Sequence, residues 1–437
     1  MRILEWQRLD RTARLAALAR PGGEGRADIS AQAARIIEAV RAERDNAVRH
    51  YTAQFDGVLL AQLRVSAAEI AAASAQLTQP QRAALERAIA NVRTFHHAQL
   101  PAPLALETEP GVHCERLTRP IEAVGLYVPS GSAPLPSTVV MLAIPAAIAG
   151  CGRRVLCTPP RRDGSAHPAV LLAAQLCGVT EIFKIGGVQA IAALAYGTES
   201  VPRVAKIFGP GNAWVTAAKQ QVAADPAGAA CDMPAGPSEV LVIADDSARA
   251  DFVASDLLAQ CEHDPLSQAL LVTTSHELAD AVLQEVKVQQ PQRLRREILA
   301  RSMAASRVII VADVPTGLAV SNEYAPEHLI LQLHEARSWL PHVTNAGSVF
   351  IGPWSPEPLG DYCCGTNHVL PTYGYARAYS GLSVHDFMRR MTVQELSPQG
   401  LRSLGPTAAT LAELEGLDAH AAAVNVRLEA LQREAAP

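Results

Sequence analysis

Strand-like apolar segments alternate with helix-length segments between residues 122 and 351, and this alternation limits the possible folds. Two sets of four segments are strand-like: 124–128, 155–158, 182–185 and 204–208, followed by 240–243, 269–272, 308–311 and 348–351. Apolar strands separated by helices are typical of parallel sheets that are covered on both faces. The pattern therefore predicts an α/β fold with two units of similar architecture.

Composition excludes several classes of protein. The 437 residues are 49% hydrophobic and 19% charged, with a formal net charge of −5. No basic run could neutralise a line of phosphates, so nucleic acid is not expected as a partner. The longest apolar run, 139–151, is too short to span a bilayer. Eight cysteines without a C-x-x-C pair are expected to be reduced thiols, which predicts a cytoplasmic protein.

The segment 257–265, LLAQCEHDP, offers candidate metal ligands. Gln260 and His263 are three residues apart in a run with helical spacing, so they can share one helix face. Imidazole suits zinc, whereas an amide oxygen is a less usual ligand. The segment fits half of a metal site or an ordinary polar helix end before Pro265.

Three turns follow strands of the first set, at 129–132, 186–189 and 209–212. Glycine after a strand lets the backbone approach a ligand, and the N-terminus of the next helix attracts phosphate. The G-x-G-x-x-G fingerprint is absent, because Trp214 stands where its third glycine would be. The turns are therefore compatible with nucleotide binding or with close packing alone.

Glu327 and His328 precede another strand-like run. A histidine titrates near neutrality and can take a proton from an alcohol, and a neighbouring carboxylate could activate water. Such a pair also occurs for purely structural reasons.

Two further segments carry polar side chains of uncertain purpose. The segment 360–368, GDYCCGTNH, could bind metal through Asp361 and His368, or offer Cys363 or Cys364 as a nucleophile toward an aldehyde. In the segment 413–420, ELEGLDAH, Glu415 and His420 are five apart beside a glycine, as in a solvated helix end.

Taken together, these segments closely resemble the histidinol dehydrogenase family, from about residue 112 to residue 427. The family-like runs are VGLYVP (124–129), GGVQAIAALAYG (186–197), FGPGNAWVTAAK (208–219), AGPSEVLVIAD (235–245), AQCEHD (259–264), NEYAPEHL (322–329), GDYCCGTNHVLPT (360–372), SGLSV (380–384) and ELEGLDAH (413–420). So many motifs in order are specific, although each alone is weak.

The resemblance implies a set of functional residues. One Zn²⁺ per subunit would be bound by Gln260, His263, Asp361 and His420. L-Histidinol would contact these four ligands together with Ser238, His328 and Glu415. NAD would lie against Tyr127, Gln189 and Asn212, and the catalytic residues would be Glu327 and His328.

The resemblance also implies an architecture of two incomplete Rossmann-like units with small helical N- and C-terminal extensions. The expected domains are an N-terminal extension (1–25), a larger α/β domain (26–128 with 236–380), an inserted nucleotide-side domain (129–235) and a helical tail (381–437). Two chains would form an intertwined homodimer, in which each tail completes the partner's site.

The expected activity is the NAD-dependent, four-electron oxidation of L-histidinol to L-histidine through bound L-histidinal. Two alternatives remain: a related dehydrogenase for another polar alcohol, and a catalytically silent zinc- or nucleotide-binding protein. The presence of Ser238, Glu415 and His420 disfavours the first, and the intact pair Glu327 and His328 disfavours the second.

Overall fold

The computed structural model describes residues 1–22, 26–130, 133–234 and 236–435, and it is a mixed α/β structure with parallel sheets. Its strands are β1 (Arg2–Glu5), β2 (Leu104–Glu109), β3 (Val112–Pro120), β4 (Ala123–Tyr127), β5 (Arg153–Thr158), β6 (Glu181–Lys184), β7 (Lys206–Phe208), β8 (Ala230–Cys231), β9 (Glu239–Ala244), β10 (Gln268–Thr273), β11 (Arg307–Ile310), β12 (His328–Gln332), β13 (Ser348–Ile351) and β14 (Met388–Leu396).

The α-helices are α1 (Arg11–Ala17), α2 (Arg26–Glu43), α3 (Asp45–Asp56), α4 (Ala67–Ala75), α5 (Gln79–His97), α6 (Pro136–Ala149), α7 (Pro168–Leu176), α8 (Gly187–Tyr196), α9 (Ala213–Ala224), α10 (Ala250–Cys261), α11 (His276–Gln289), α12 (Arg296–Ala305), α13 (Val314–Tyr324), α14 (Glu357–Tyr362), α15 (Pro398–Leu414) and α16 (Asp418–Glu434).

The two parallel sheets contain all eight predicted strands. The five-stranded sheet has the order β6-β5-β4-β7-β8, and the six-stranded sheet has the order β1-β11-β10-β9-β12-β13. Every pairing within these two sheets is parallel. The strand-like run after Glu327 is β12, which lies between β9 and β13. The predicted α/β fold class, with parallel strands separated by helices, is confirmed.

The central strands are buried because helices cover the sheets. All six residues of β9 and all six of β10 are buried, as expected for a continuous apolar strand. The longest apolar run belongs to α6, whose residues 137–146 are all buried. None of the described helices is long and apolar enough to cross a membrane.

The chain divides into two units. The main unit comprises residues 1–99 and 121–387, and it contains both parallel sheets. The small unit comprises residues 100–120 and 388–437. Its described part consists of the antiparallel sheet β14-β3-β2 and the paired helices α15 and α16.

Two local predictions are corrected by the structure. The tail 381–437 is expected from the sequence to be helical, but β14 is a nine-residue strand paired with β3. Most of β14 is exposed, so it lacks the apolar alternation that would reveal a strand. The expected N-terminal helical extension also contributes β1 to the edge of the six-stranded sheet.

Replacing Gly209 with alanine should destabilise the main unit. Gly209 has a φ of +126°, and an added Cβ would lie 2.0 Å from the carbonyl oxygen of Tyr127. We expect a lower thermal unfolding midpoint and a loss of about 3 kcal/mol, from backbone strain and steric overlap. Gly152→Ala is the control, since its Cβ would meet no atom closer than 3.8 Å. Equal midpoints for the two variants would contradict this prediction.

Candidate active site

Glu327 and His328 lie at the amino ends of parallel strands, where β9 and β12 begin. The backbone N–H of Glu239 donates to Glu327 Oε2 at 2.8 Å. Nδ1 of His328 lies 3.1 Å from the carbonyl oxygen of Glu239 and donates to it, because a carbonyl can only accept. The peptide groups of one residue thus hold both side chains. This arrangement also leaves Nε2 of His328 as the nitrogen that can accept a proton.

Nε2 of His328 faces two carboxylates of α14. It is 3.5 Å from Asp361 Oδ1 and 3.8 Å from Glu357 Oε1. Glu357 and Asp361 are four residues apart, so they lie on the same face of the helix. Glu357 is 1% exposed, and its Oε1 has no hydrogen-bond partner among the described residues. A buried acceptor of this kind is suited to a cation or to a bound ligand.

The acidic groups shift one another's protonation. Burial raises the pKa of Glu327 to about 8, although His328 opposes this shift. Burial, aided by the nearby charge of Asp361, raises the pKa of Glu357 to about 9. Burial would raise the pKa of Asp361, but its close contact with the His328 ring and the charge of His328 hold that pKa below its usual range.

His328 experiences the combined charge of these groups. Burial alone would lower its pKa, but the carboxylates of Glu327, Asp361 and Glu357 raise it to about 10. A histidine that accepts a proton in catalysis must begin neutral. The positive charge of a bound cation or substrate would favour that form by offsetting the carboxylates.

His263, Glu357 and Asp361 form a cluster that could hold a metal ion. One potential ligand atom of each lies within 4.8 Å of those of the other two. Burial lowers the pKa of His263, which favours the neutral imidazole that binds metals. Sequence reasoning missed Glu357, although its spacing of four from Asp361 was a usable signal.

Gln260, like Glu357, is a buried residue with side-chain polar atoms that lack hydrogen-bond partners among the described residues. Its side chain is 1% exposed, and neither Oε1 nor Nε2 has a hydrogen-bond partner among the described residues. Gln260 lies in the last turn of α10, and its carbonyl accepts from the backbone N–H of His263. Burying an amide without partners costs free energy, so its oxygen is available to a ligand.

The other candidates of the segment 360–368 have different surroundings. Nδ1 of His368 donates to the carbonyl oxygen of Asp361 at 2.9 Å, and its Nε2 lies 3.2 Å from Thr138 Oγ1. Cys363 is half-buried and Cys364 is exposed, and neither belongs to the metal-competent cluster of the described residues. His368 therefore holds the backbone carbonyl of Asp361, whereas Cys363 and Cys364 take no part in the cluster of possible metal ligands among the described residues.

The glycine turns lie at the carboxyl ends of strands in the five-stranded sheet. Tyr127 ends β4, and its hydroxyl accepts from the backbone N–H of Gly187 at 3.1 Å. Gln189 is buried in the first turn of α8, and its Oε1 has no hydrogen-bond partner in the described part of the chain. Asn212 is exposed and caps α9. Residues 131 and 132 of the first turn lie outside the described residues.

A buried ion pair fixes the turn that follows β7. Asp232 accepts from the backbone N–H of Gly209 at 2.7 Å, and Lys219 donates to the carbonyl oxygen of Gly209 at 2.9 Å. Lys219 and Asp232 also pair with each other. Because the N–H and the carbonyl of Gly209 are both hydrogen-bonded, the backbone that precedes Asn212 is held in place.

The remaining predicted substrate contacts lie in different places. Ser238 is half-buried and immediately precedes Glu239 at the start of β9. Glu415 follows α15 and His420 lies in the first turn of α16, both in the small unit. Both side chains are exposed. Their participation in the site stays a prediction.

Comparisons with known proteins agree on one family. The family model described as histidinol dehydrogenase matches residues 20–428. A histidinol dehydrogenase of Vibrio vulnificus is 54% identical over 431 residues, 99% of each chain. One of Xanthomonas euvesicatoria is 55% identical over 428 residues, 98% of this chain and 99% of that protein. The crystal structure of histidinol dehydrogenase from Elizabethkingia anophelis superposes with a TM-score of 0.93 and 44% identity, covering 99% of both chains.

Proposed function

The chain belongs to the histidinol dehydrogenase family, and from this membership we propose that it oxidises L-histidinol to L-histidine, through bound L-histidinal, with two NAD. The observation that supports this best is the buried pair Glu327 and His328. The pair combines a hydrogen-bonded imidazole, whose second nitrogen faces the carboxylate cluster, with a carboxylate beside it. A proton acceptor and a water-activating group are what a two-step oxidation of an alcohol to an acid requires.

We propose that Gln260, His263 and Asp361 bind Zn²⁺, together with His420 from the partner subunit. The fit is supported by the unpartnered amide of Gln260 and by the closely spaced ligand atoms of His263 and Asp361. When bound, the zinc ion would supply a fixed point that orients the imidazole and amino nitrogens of the substrate. Two imidazoles, an amide and a carboxylate carry little negative charge, which suits an orienting metal site.

In the first oxidation, His328 takes the hydroxyl proton of L-histidinol at Nε2. Its Nδ1 keeps its proton, hydrogen-bonded to the carbonyl oxygen of Glu239, so the ring does not need to rotate. Tyr127, Gln189 and Asn212 would hold NAD, which would supply the hydride acceptor for both oxidations. Ser238, together with Glu415 of the partner subunit, would hold the polar groups of the substrate.

In the second step, Glu327 takes a proton from a water molecule, whose oxygen adds to the aldehyde. The backbone N–H of Glu239 holds Oε2 of Glu327 in place for this role. After His328 has released its first proton to solvent, it takes the hydroxyl proton of the resulting diol as a second hydride leaves, and the carboxylic acid forms. One water molecule and two NAD are consumed for each L-histidine.

We assign NAD to the carboxyl edge of the five-stranded sheet, at Tyr127, Gln189 and Asn212. The support is the position of the glycine turns at strand ends that lead into helices, where backbone N–H groups favour phosphate. On this proposal the two parallel sheets are the cores of two incomplete Rossmann-like units. The enzyme is a cytoplasmic, intertwined homodimer, and the tail of each chain completes the partner's site.

The purified protein should form two NADH for each L-histidine when it is supplied with L-histidinol, Zn²⁺ and excess NAD. Absorbance at the NADH band and chromatographic measurement of L-histidine give the ratio. One NADH, formed with a different alcohol as the preferred substrate, would favour the related dehydrogenase. No turnover of any polar alcohol would favour a silent binding protein.

His328→Asn should impair both oxidations, because the same imidazole accepts a proton in each. Glu327→Gln should impair mainly the oxidation of L-histidinal, because only that step requires an activated water. We expect losses of about 10²- to 10⁴-fold in the affected kcat values, measured separately with L-histidinol and with L-histidinal. Equal losses in both reactions for Glu327→Gln would contradict the separate roles.

Zinc should stabilise the metal-depleted protein by binding to Gln260, His263 and Asp361. At a free zinc concentration of about 100 times Kd, the native state gains about 2.7 kcal/mol, which raises the thermal unfolding midpoint. Asp361→Asn should lose most of this gain, whereas Asp246→Asn, which alters an exposed carboxylate, should keep it. The ligand assignment is wrong if zinc raises the midpoint of Asp361→Asn as much as that of the wild type.

A further inference from the structure

We propose that Arg20 is a positioning residue, which orients Glu327 and His328 through Glu239. The inference rests on the proposed function, because it assigns an indirect role in that reaction to a residue of the N-terminal segment. Arg20 lies shortly after α1, more than two hundred residues from Glu239 in sequence. It makes no substrate contact on this proposal.

The guanidinium of Arg20 makes two hydrogen bonds to the carboxylate of Glu239. Its Nε donates to Glu239 Oε1 at 2.7 Å, and one terminal nitrogen donates to Oε2 at 2.8 Å. The same nitrogen donates to the carbonyl oxygen of Tyr324 at 2.8 Å. The guanidinium carbon also lies 3.8 Å from the centre of the Tyr324 ring. A planar, bidentate pair fixes orientation as well as distance.

The burial of this pair favours a positioning role. The side chain of Arg20 is 13% exposed and that of Glu239 is 3% exposed. Removing two charges from water costs free energy, and the attraction between them often does no more than offset that cost. A gain in stability is therefore a weak explanation for the presence of this buried pair. The backbone N–H of Tyr373 also donates to Glu239 Oε1. Two separate parts of the chain, around Arg20 and Tyr373, therefore hold one carboxylate.

The backbone of Glu239 transmits this restraint to the catalytic pair. Its N–H holds Glu327 and its carbonyl oxygen holds His328, so a rotation of Glu239 moves the partners of both side chains. Glu239 is the first residue of β9, where the strand ladder ends and side-chain restraint has the most effect. Displacements of about 1 Å at reacting groups can reduce rates about 10²-fold.

Arg20→Met tests the proposal, with Arg153→Met as the matched control. Arg153 makes a similar bidentate pair with Glu181, at 2.9 and 2.8 Å, but it is exposed at 49% and lies in β5. We expect Arg20→Met to lower kcat for both oxidations about 10- to 100-fold and to leave the KM for NAD within about twofold. Arg20→Lys should retain intermediate activity, because lysine keeps the charge and loses the fork. Arg153→Met should match the wild type.

A folded Arg20→Met protein with kcat within about twofold of the wild type would overturn the proposal. If Arg20→Met does not fold, Arg20→Lys and Glu239→Gln decide, and full kcat in both folded variants would overturn it equally.

A readout without turnover separates this inference from the proposed function. The ¹⁵N resonances of the His328 ring, assigned with His328→Gln, report the protonation and hydrogen bonding of each ring nitrogen. The wild type should show a protonated Nδ1 that is hydrogen-bonded to the carbonyl of Glu239, and Arg20→Met should show a changed or averaged Nδ1 signal. An unchanged pattern contradicts the inference even if the wild type does not oxidise L-histidinol. Failure of the wild type to oxidise L-histidinol contradicts only the proposed function.

Discussion

The peptide groups of Glu239 are the constraint on which the site depends. One residue at the start of β9 donates its N–H to Glu327 and accepts from His328. The parallel pairing of β9 with β12 places these two side chains beside Glu239, because both strands begin at the same edge of the sheet. The proposed catalytic pair is thereby placed at the start of a buried central strand.

The position of this pair departs from the usual rule for parallel sheets. Ligands generally bind at the carboxyl ends of such strands, and the glycine turns of the five-stranded sheet lie at these ends. Glu327 and His328 instead lie at the amino ends of the six-stranded sheet. The two edges are connected through α6, because Asn367 donates to the carbonyl of Met141 and His368 contacts Thr138. On our proposal, the carboxyl edge of the five-stranded sheet binds the nucleotide, and the amino edge of the six-stranded sheet binds substrate and metal.

The sequence predicted the parallel strands well, because fully buried strands appear as continuous apolar runs. It did not predict β2 or β14, whose residues are mostly exposed and carry no apolar pattern. His263 and Asp361, which the structure brings into one cluster, were candidates from the sequence because histidine and aspartate are recognisable metal ligands. Glu357 was missed because prolines surround its short helix. The pair of Arg20 with Glu239 joins residues far apart in sequence, and such pairing has no local signal.

On our proposal, Gln260, His263 and Asp361 bind one zinc ion beside His328, together with His420 of the partner subunit. X-ray absorption at the zinc edge of the purified protein tests this ligand set most directly. We expect one zinc per chain, with only nitrogen and oxygen neighbours at about 2.0–2.2 Å and the signature of two imidazoles. A sulfur neighbour at about 2.3 Å, which would implicate a cysteine, or the absence of stoichiometric zinc after loading would contradict it.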